Sequence, residues 1–372
     1  MFQEDFFAVK RKEALEKFDQ LPIPQEREEE WRYTNLKKFN INFKPEDSEI
    51  ALDGDENEII FTDLMNAAMT HPDILKKYFG AAVRITDKFS AFHYANIANG
   101  ILVVIPDGKK ASLSSKIVGG GHTVIVVGKN SRLNYQEEYG GIGLVTDAVE
   151  IFADEDSVIN FASLQNCNNN AIAFSFKEFI LQRGSKINTI FGSFGSAFHR
   201  LKSNTSLEGE GASSGTLCAY KSKGSQHIDF TVNAHHKVPH TYNNVLAKGT
   251  LADRSTAVFR GLIKIDKAAQ QTDSYLADHT LLLSGDALAN SIPALQIDAN
   301  DVKASHGATI GQIDEEQLFY LMSRGLSRDE AEHMIVTGFF EPLIDKIVEK
   351  TFQERFRKAV ENTRTETLSS RN

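Results

Sequence analysis

The feature that most constrains this chain is the stretch from Ile101 to Leu295, a succession of short apolar runs with no amphipathic helix between them. Runs such as 101-ILVVIP, 123-TVIVVG, 171-AIAFSF, 227-HIDFTVNAHH, 257-AVFRGLIKID and 281-LLLS put β-branched and apolar residues on alternate positions, and clusters of Gly, Asn and Ser break them. Alternation with a period of two is the mark of strands that bury one face. A parallel sheet wound with crossover helices would need a helical segment between strands, so the pattern points to an all-β stack, either a β-helix or a large sandwich. Outward positions rich in Ser, Thr, Asn and Gly, as in 203-SNTSLEGEGASSGT, and turns recurring at intervals of about 20 residues or more favour the β-helix.

Helical patterns flank this core. Phe7, Ala14, Leu15 and Phe18 share a face of a first helix that Pro22 and Pro24 stop, because proline lacks an N–H and fixes φ. Lys44 to Glu58 is acidic and reads as loop or short irregular strands, with helices expected at 63–79 and 88–98. Beyond the core, Asp314 caps a helix carrying Leu318, Leu321 and Met322, with Gln317 reaching back; Gly325 ends it. Ser327 and Glu330 form a second capping box, ahead of Ala331, Met334, Ile335 and Gly338. A third segment, Pro342 to about Val360, leads into the polar tail 361-ENTRTETLSSRN, expected to be disordered. The expected organisation is an N-terminal helical region 1–100, a β-helix core 101–312, a C-terminal helical region 313–360 and a tail 361–372.

With 41% hydrophobic and 24% charged residues over 372 positions, the chain can bury a core. Its net charge of −9 and lack of a basic stripe argue against a nucleic-acid surface. Met1 to Lys10 lacks the apolar core of a signal peptide, and no run is long enough to span a bilayer. A cytosolic protein with no membrane association is expected.

Chemistry-bearing motifs are sparse. Cys167 and Cys218 are the only cysteines and form no C-x-x-C; both read as structural thiols. Gly119–Gly121 and Gly209-Glu-Gly211 read as turns, and Thr123 stands where the first glycine of a phosphate loop ending at Gly128-Lys129 would be needed. ATP binding by this chain is not expected. No G-x-S-x-G elbow supports a nucleophilic serine. His235, His236 and His240 invite a metal reading, yet adjacent strand residues point to opposite faces and no carboxylate sits at ligand spacing; a polar β-helix exterior is the plainer reading. His306, in 303-KASHGATIG between a charged turn and an expected helix start, is the first choice for function, since a neutral imidazole can ligate iron or carry a proton near neutral pH. Gly307 beside it would permit a close approach or an unusual backbone angle.

The segments 248-KGTLADRSTAVFRGLIKIDKAAQQTDSYLADHTLLLS and 297-IDANDVKASHGATIGQIDEEQLFYLMSRGLSRDEAEHMIVTGF, with 21-LPIPQEREEEWRYTNL near the start, resemble the SufB/SufD family of SUF iron–sulfur cluster assembly scaffold proteins. SufB-like chains carry a cysteine before the proline matching Pro293 and glutamates beside the histidine matching His306. Here 285-GDALANSIP has no cysteine, Ser305 and Gly307 flank His306, and Ala304 stands where some SufD chains have cysteine. The chain is therefore more similar to the SufD side of the family.

The resemblance implies a right-handed parallel β-helix flanked by helical regions, and a non-catalytic scaffold. It implies pairing with SufB through the C-terminal part of the β-helix, near 278–300, with homodimer formation through the same edge when SufB is absent. It further implies docking of the SufC ATPase through the C-terminal helices, for which Leu318, Phe319, Tyr320, Arg324 and Phe339 are the expected residues. His306 would lie at the SufB interface as an iron or cluster site. A transient iron–sulfur cluster shared with SufB is the expected cargo, and reduced flavin is a further candidate in the complex. The alternative from another class is a carbohydrate-active β-helix enzyme, which would need clustered acids on an exposed sheet.

Overall fold

A computed structural model of the chain describes residues 6–361 apart from 46, 55–57 and 98. The expected tail lies outside the described residues from 362 onward. Short strands begin within the N-terminal region, β1 (Glu49–Gly54) and β2 (Ile60–Asp63), followed by β3 (Gly100–Ile105), β4 (Lys110–Val118), β5 (Gly121–Val127) and β6 (Arg132–Gly140). The middle of the chain supplies β7 (Leu144–Ala153), β8 (Val158–Gln165), β9 (Ile172–Leu181), β10 (Lys186–Ser193), β11 (Phe198–Leu207) and β12 (Ser213–Ser222). Then come β13 (His227–His236), β14 (Tyr242–Leu251), β15 (Thr256–Ile265), β16 (Thr272–Leu282), β17 (Leu288–Ile297) and β18 (Val302–Gln312).

Even-numbered strands from β4 onward stack into one sheet and odd-numbered ones from β3 into another, each nine-stranded once β1 joins the first and β2 the second. Among the described residues every pairing from β3 to β18 is parallel, and β1 with β4 and β2 with β3 are antiparallel. The chain is thus a parallel β-helix, as its alternation anticipates. One turn of the coil advances 26 residues from Asn134 to Asn160 and 28 from Asn160 to Asn188, where stacked side-chain amides bond at 2.8 and 2.9 Å. Such ladders satisfy outward polar groups rung by rung. Gly120 closes a tight corner at φ +91, where a Cβ would lie 2.3 Å from the Thr146 carbonyl oxygen, a conformation glycine alone adopts without strain.

Inward positions of both sheets merge into one apolar cluster running the length of the coil, from Ile101 and Leu113 to Ile265 and Leu276. Helices cover the outer faces. On the odd-numbered sheet, α1 (Phe6–Gln20) and α4 (Lys88–Ala95) bury Phe7, Phe89 and Phe92 against Leu102, Val124 and Phe174. Between them the expected helix at 63–79 divides into α2 (Leu64–Thr70) and α3 (Pro72–Tyr78), since a residue preceding proline is driven out of helical geometry. No helix among the described residues is long and apolar enough to cross a membrane.

At the C-terminus, α5 (Glu315–Ser323) is capped by Asp314, and α6 (Arg328–Ile344) by the reciprocal Ser327–Glu330 box. The expected third segment does not start at Pro342: that residue lies inside α6, and α7 (Lys350–Glu361) begins later. Leu343 and Ile344 are buried in the same cluster as Val336 and Phe340, which carries the helix past a proline that removes one hydrogen bond. This cluster seats α6 and α7 on Ala162, Leu164, Ile190 and Ala219 of the even-numbered sheet.

Candidate functional site at the open end of the coil

The two ends of the coil differ. At the N-terminal end, antiparallel β1 and β2 cover the first rung. At the C-terminal end β17 and β18 are the outermost strands of their sheets, so each presents an unpaired row of backbone groups, a surface ready to pair with another chain.

Register fixes what this end displays. Ile263 and Ile265, both buried, stack under Leu295 and Ile297, and Thr280 under Ile310. The same interior columns thus continue onto a rung that no further strand of the described residues covers, leaving Leu295 36%, Ile297 39% and Ile310 41% exposed. His306 is registered on Leu276, a core residue, so it stands at an interior-column position of the terminal rung while remaining exposed. It lies mid-strand in β18, not at a helix start. The run 303-KASHGATIG keeps the two-residue phase of the preceding rungs, and the helix begins only at Glu315. Gly307 has no positive φ, and a Cβ there would meet Tyr275 Oη at an ordinary 3.5 Å, so the expected special backbone angle is absent.

One rung below, Asp278 is buried beneath Ala308. Burial pushes its carboxyl up to about 6, and Tyr220 Oη donates to it at 3.3 Å. Sequence reasoning passed over this residue, although a carboxylate in phase with Leu276 and Leu282 of the same strand was a visible signal.

Beside this end stands the α5–α6 hairpin. Leu318 is fully buried with Ala331 and Ile313 and holds the hairpin together. Phe319 is 74% and Tyr320 57% exposed, with Met322 and Met334 also exposed. Arg324 lies 5.2 Å from the Tyr320 ring and its Nη2 donates to Tyr320 Oη at 3.2 Å. Phe319, Tyr320 and Arg324 therefore share the solvent-facing part of the hairpin. Phe339 is separate, packed against Phe340 beneath Lys248, whose Nζ sits 4.6 Å from the ring and donates to the Phe339 carbonyl at 2.9 Å.

Among the described residues no group of three or more His, Cys, Asp or Glu side chains is arranged to hold a metal ion. His235 and His236 do point to opposite faces, but the expected polar exterior fails for His236, which is buried with Nδ1 2.8 Å from Thr241 Oγ1 and Nε2 3.2 Å from Ser274 Oγ. Nor do the other two lack carboxylates: Asp266 lies 2.9 Å from His235 and Glu210 3.6 Å from His240, brought in from other turns of the coil. Cys167 and Cys218 are both buried, and burial pushes the Cys218 thiol up, so both behave as packing residues.

The family model described as "SUF system FeS cluster assembly, SufBD core domain" matches residues 112–339. The chain is 26% identical to the iron–sulfur cluster assembly protein SufD of Bacillus subtilis strain 168, over 91% of this chain and 89% of that one. It is 30% identical to an iron–sulfur cluster assembly SufBD family protein of Staphylococcus saprophyticus, over 89% and 74%.

Proposed function

This chain belongs to the SufBD core family of the SUF iron–sulfur cluster assembly system, and from that membership we propose that it is a non-catalytic scaffold subunit supporting iron entry and nascent cluster formation. The observation that carries this reading is the C-terminal rung of the coil, where β17 and β18 leave the interior-column residues Leu295, Ile297 and Ile310 exposed. SufB is the proposed partner at the open end, its own strands continuing β17 and β18 and covering Leu295, Ile297 and Ile310. His306 then lies within that junction, where an imidazole can ligate iron or move a proton toward a cluster shared with SufB; the other ligands come from the partner.

SufC is proposed to dock on the α5–α6 hairpin through Phe319, Tyr320 and Arg324, an aromatic pair with a stacked guanidinium being a composition common at binding hot spots. ATP hydrolysis belongs to that partner. Reduced flavin, as electron donor, belongs to the assembled complex. The carbohydrate-active alternative gains nothing from the site, since Glu137 and Asp147, which face one another through Lys177, are sealed inside the coil.

Co-expression with SufB and SufC, comparing wild type with His306→Ala, tests the proposal by quantifying iron and acid-labile sulfide in the purified complex. An intact complex that has lost its cluster is the expected result. Undiminished cluster would remove His306 from the chemistry, and failure of the wild type to assemble would overturn the scaffold role.

A further inference from the structure

The interior of a β-helix is ordinarily apolar, yet between β6 and β9 this one encloses three charged side chains. Lys177, Glu137 and Asp147 are each fully buried. Lys177 Nζ donates to Glu137 Oε1 at 2.7 Å and to Asp147 Oδ2, and lies 5.2 Å from the Tyr139 ring and 5.6 Å from that of Phe161. Ser163 Oγ donates to Glu137 Oε1 at 2.8 Å. Among the described residues, Glu137 Oε2 and Asp147 Oδ1 have no hydrogen-bond partner.

Two ionised carboxyls against one ammonium would leave a net negative charge in a sealed apolar interior, which is prohibitively unfavourable. A metal ion is not the remedy, because Lys177 already occupies the point where the two carboxyls converge. We propose that Glu137, Asp147 and Lys177 form an internal proton-binding site, in which the two carboxyls share one proton at neutral pH and the cluster as a whole is uncharged. The proton also converts one of the two unpartnered oxygens from an acceptor into a donor.

The surroundings agree. Burial and the facing Glu137 push the Asp147 carboxyl well above its ordinary range. Burial alone would push Lys177 down, but Asp147 and Glu137 hold its ammonium above its usual value. The other titratable groups around the cluster, Tyr135 and Tyr139 from β6, His93 from α4 and His199 from β11, are kept neutral by burial. A carboxyl raised in the folded state stabilises it below its unfolded value and loses that contribution as pH rises through the folded one.

Urea unfolding of the full chain from pH 5 to 9, for wild type, Asp147→Asn and Glu137→Gln, reads the site directly. Each amide leaves one carboxylate against one ammonium, so each removes the proton. The unfolding constant of the wild type relative to either variant is expected to rise roughly tenfold or more as pH increases through neutrality. Infrared spectra at neutral pH should show a protonated-carboxyl carbonyl band in the wild type that is weaker in the variants. Two variants guard against one failing to fold. Wild-type pH dependence and an unchanged band in whichever variant folds would overturn the proposal, as would a wild-type stability that responds to the identity of added alkali cations rather than to pH.

Discussion

Asp229 sits on the outer face of β13 between two guanidinium groups, Arg200 Nη1 at 2.7 Å and Arg260 Nη1 at 2.6 Å, and Thr34 donates to it from the N-terminal segment. Arg200 also stacks over Trp31 at 3.9 Å, so one buried carboxylate ties residues near position 30 to the coil. Asp229→Ala would leave the Arg260 guanidinium without a carboxylate and Arg200 with Glu30 alone, at 3.1 Å; a loss of about 3–5 kcal/mol is expected in urea unfolding. Neither the partners nor the burial could be read from the sequence, where 227-HIDF shows only a polar residue in the outward phase. Buried histidines act in the opposite sense to the buried acids. Burial pushes His199 down to about 3, and His227 and His236 to about 4. The unfolded chain therefore takes up protons first, and stability falls as pH drops from about 6.5 toward 4. Asp278 and Glu178, raised by burial to about 6 and about 7, lose their contribution as pH rises through those values. Thermal unfolding across pH should accordingly show a maximum near pH 6, to within about a unit.

At the scale of elements, the terminal strands and the α5–α6 hairpin separate folding from docking. Leu295→Lys and Ile297→Lys place charges on a rung already half in solvent, so they are expected to change the isolated chain's stability by less than about 1 kcal/mol while abolishing co-purification with SufB. In the hairpin, Phe319→Asp with Tyr320→Asp should leave circular dichroism unchanged and remove SufC from the complex. Leu318→Ala instead empties the hairpin's core, at about 2–5 kcal/mol, and should show as faster hydrogen exchange over α5 and α6. Of the five residues expected at the docking surface, the helical spacing placed Leu318 on the apolar face of α5. It could not reveal that this face is consumed within the hairpin, nor that Phe339 is spent against Phe340 and Lys248.

For the molecule as a whole, truncation after Gln312 would uncover the apolar patch of Leu164, Ile190 and Phe194 that α6 and α7 protect; aggregation seen by size-exclusion chromatography is the expected outcome. What the sequence by itself determined was whatever depends on near neighbours. Alternation in 171-AIAFSF or 257-AVFRGL decides which side chains enter the interior, because successive strand residues face opposite ways. Capping residues such as Ser327 and Glu330 set helix starts for the same local reason. Contacts between successive turns are another matter. The stacking of His306 on Leu276, and the meeting of Glu137, Asp147 and Lys177 from β6, β7 and β9, depend on register between strands far apart in sequence. That register follows from the length and geometry of every intervening corner, and only the tertiary structure decided it.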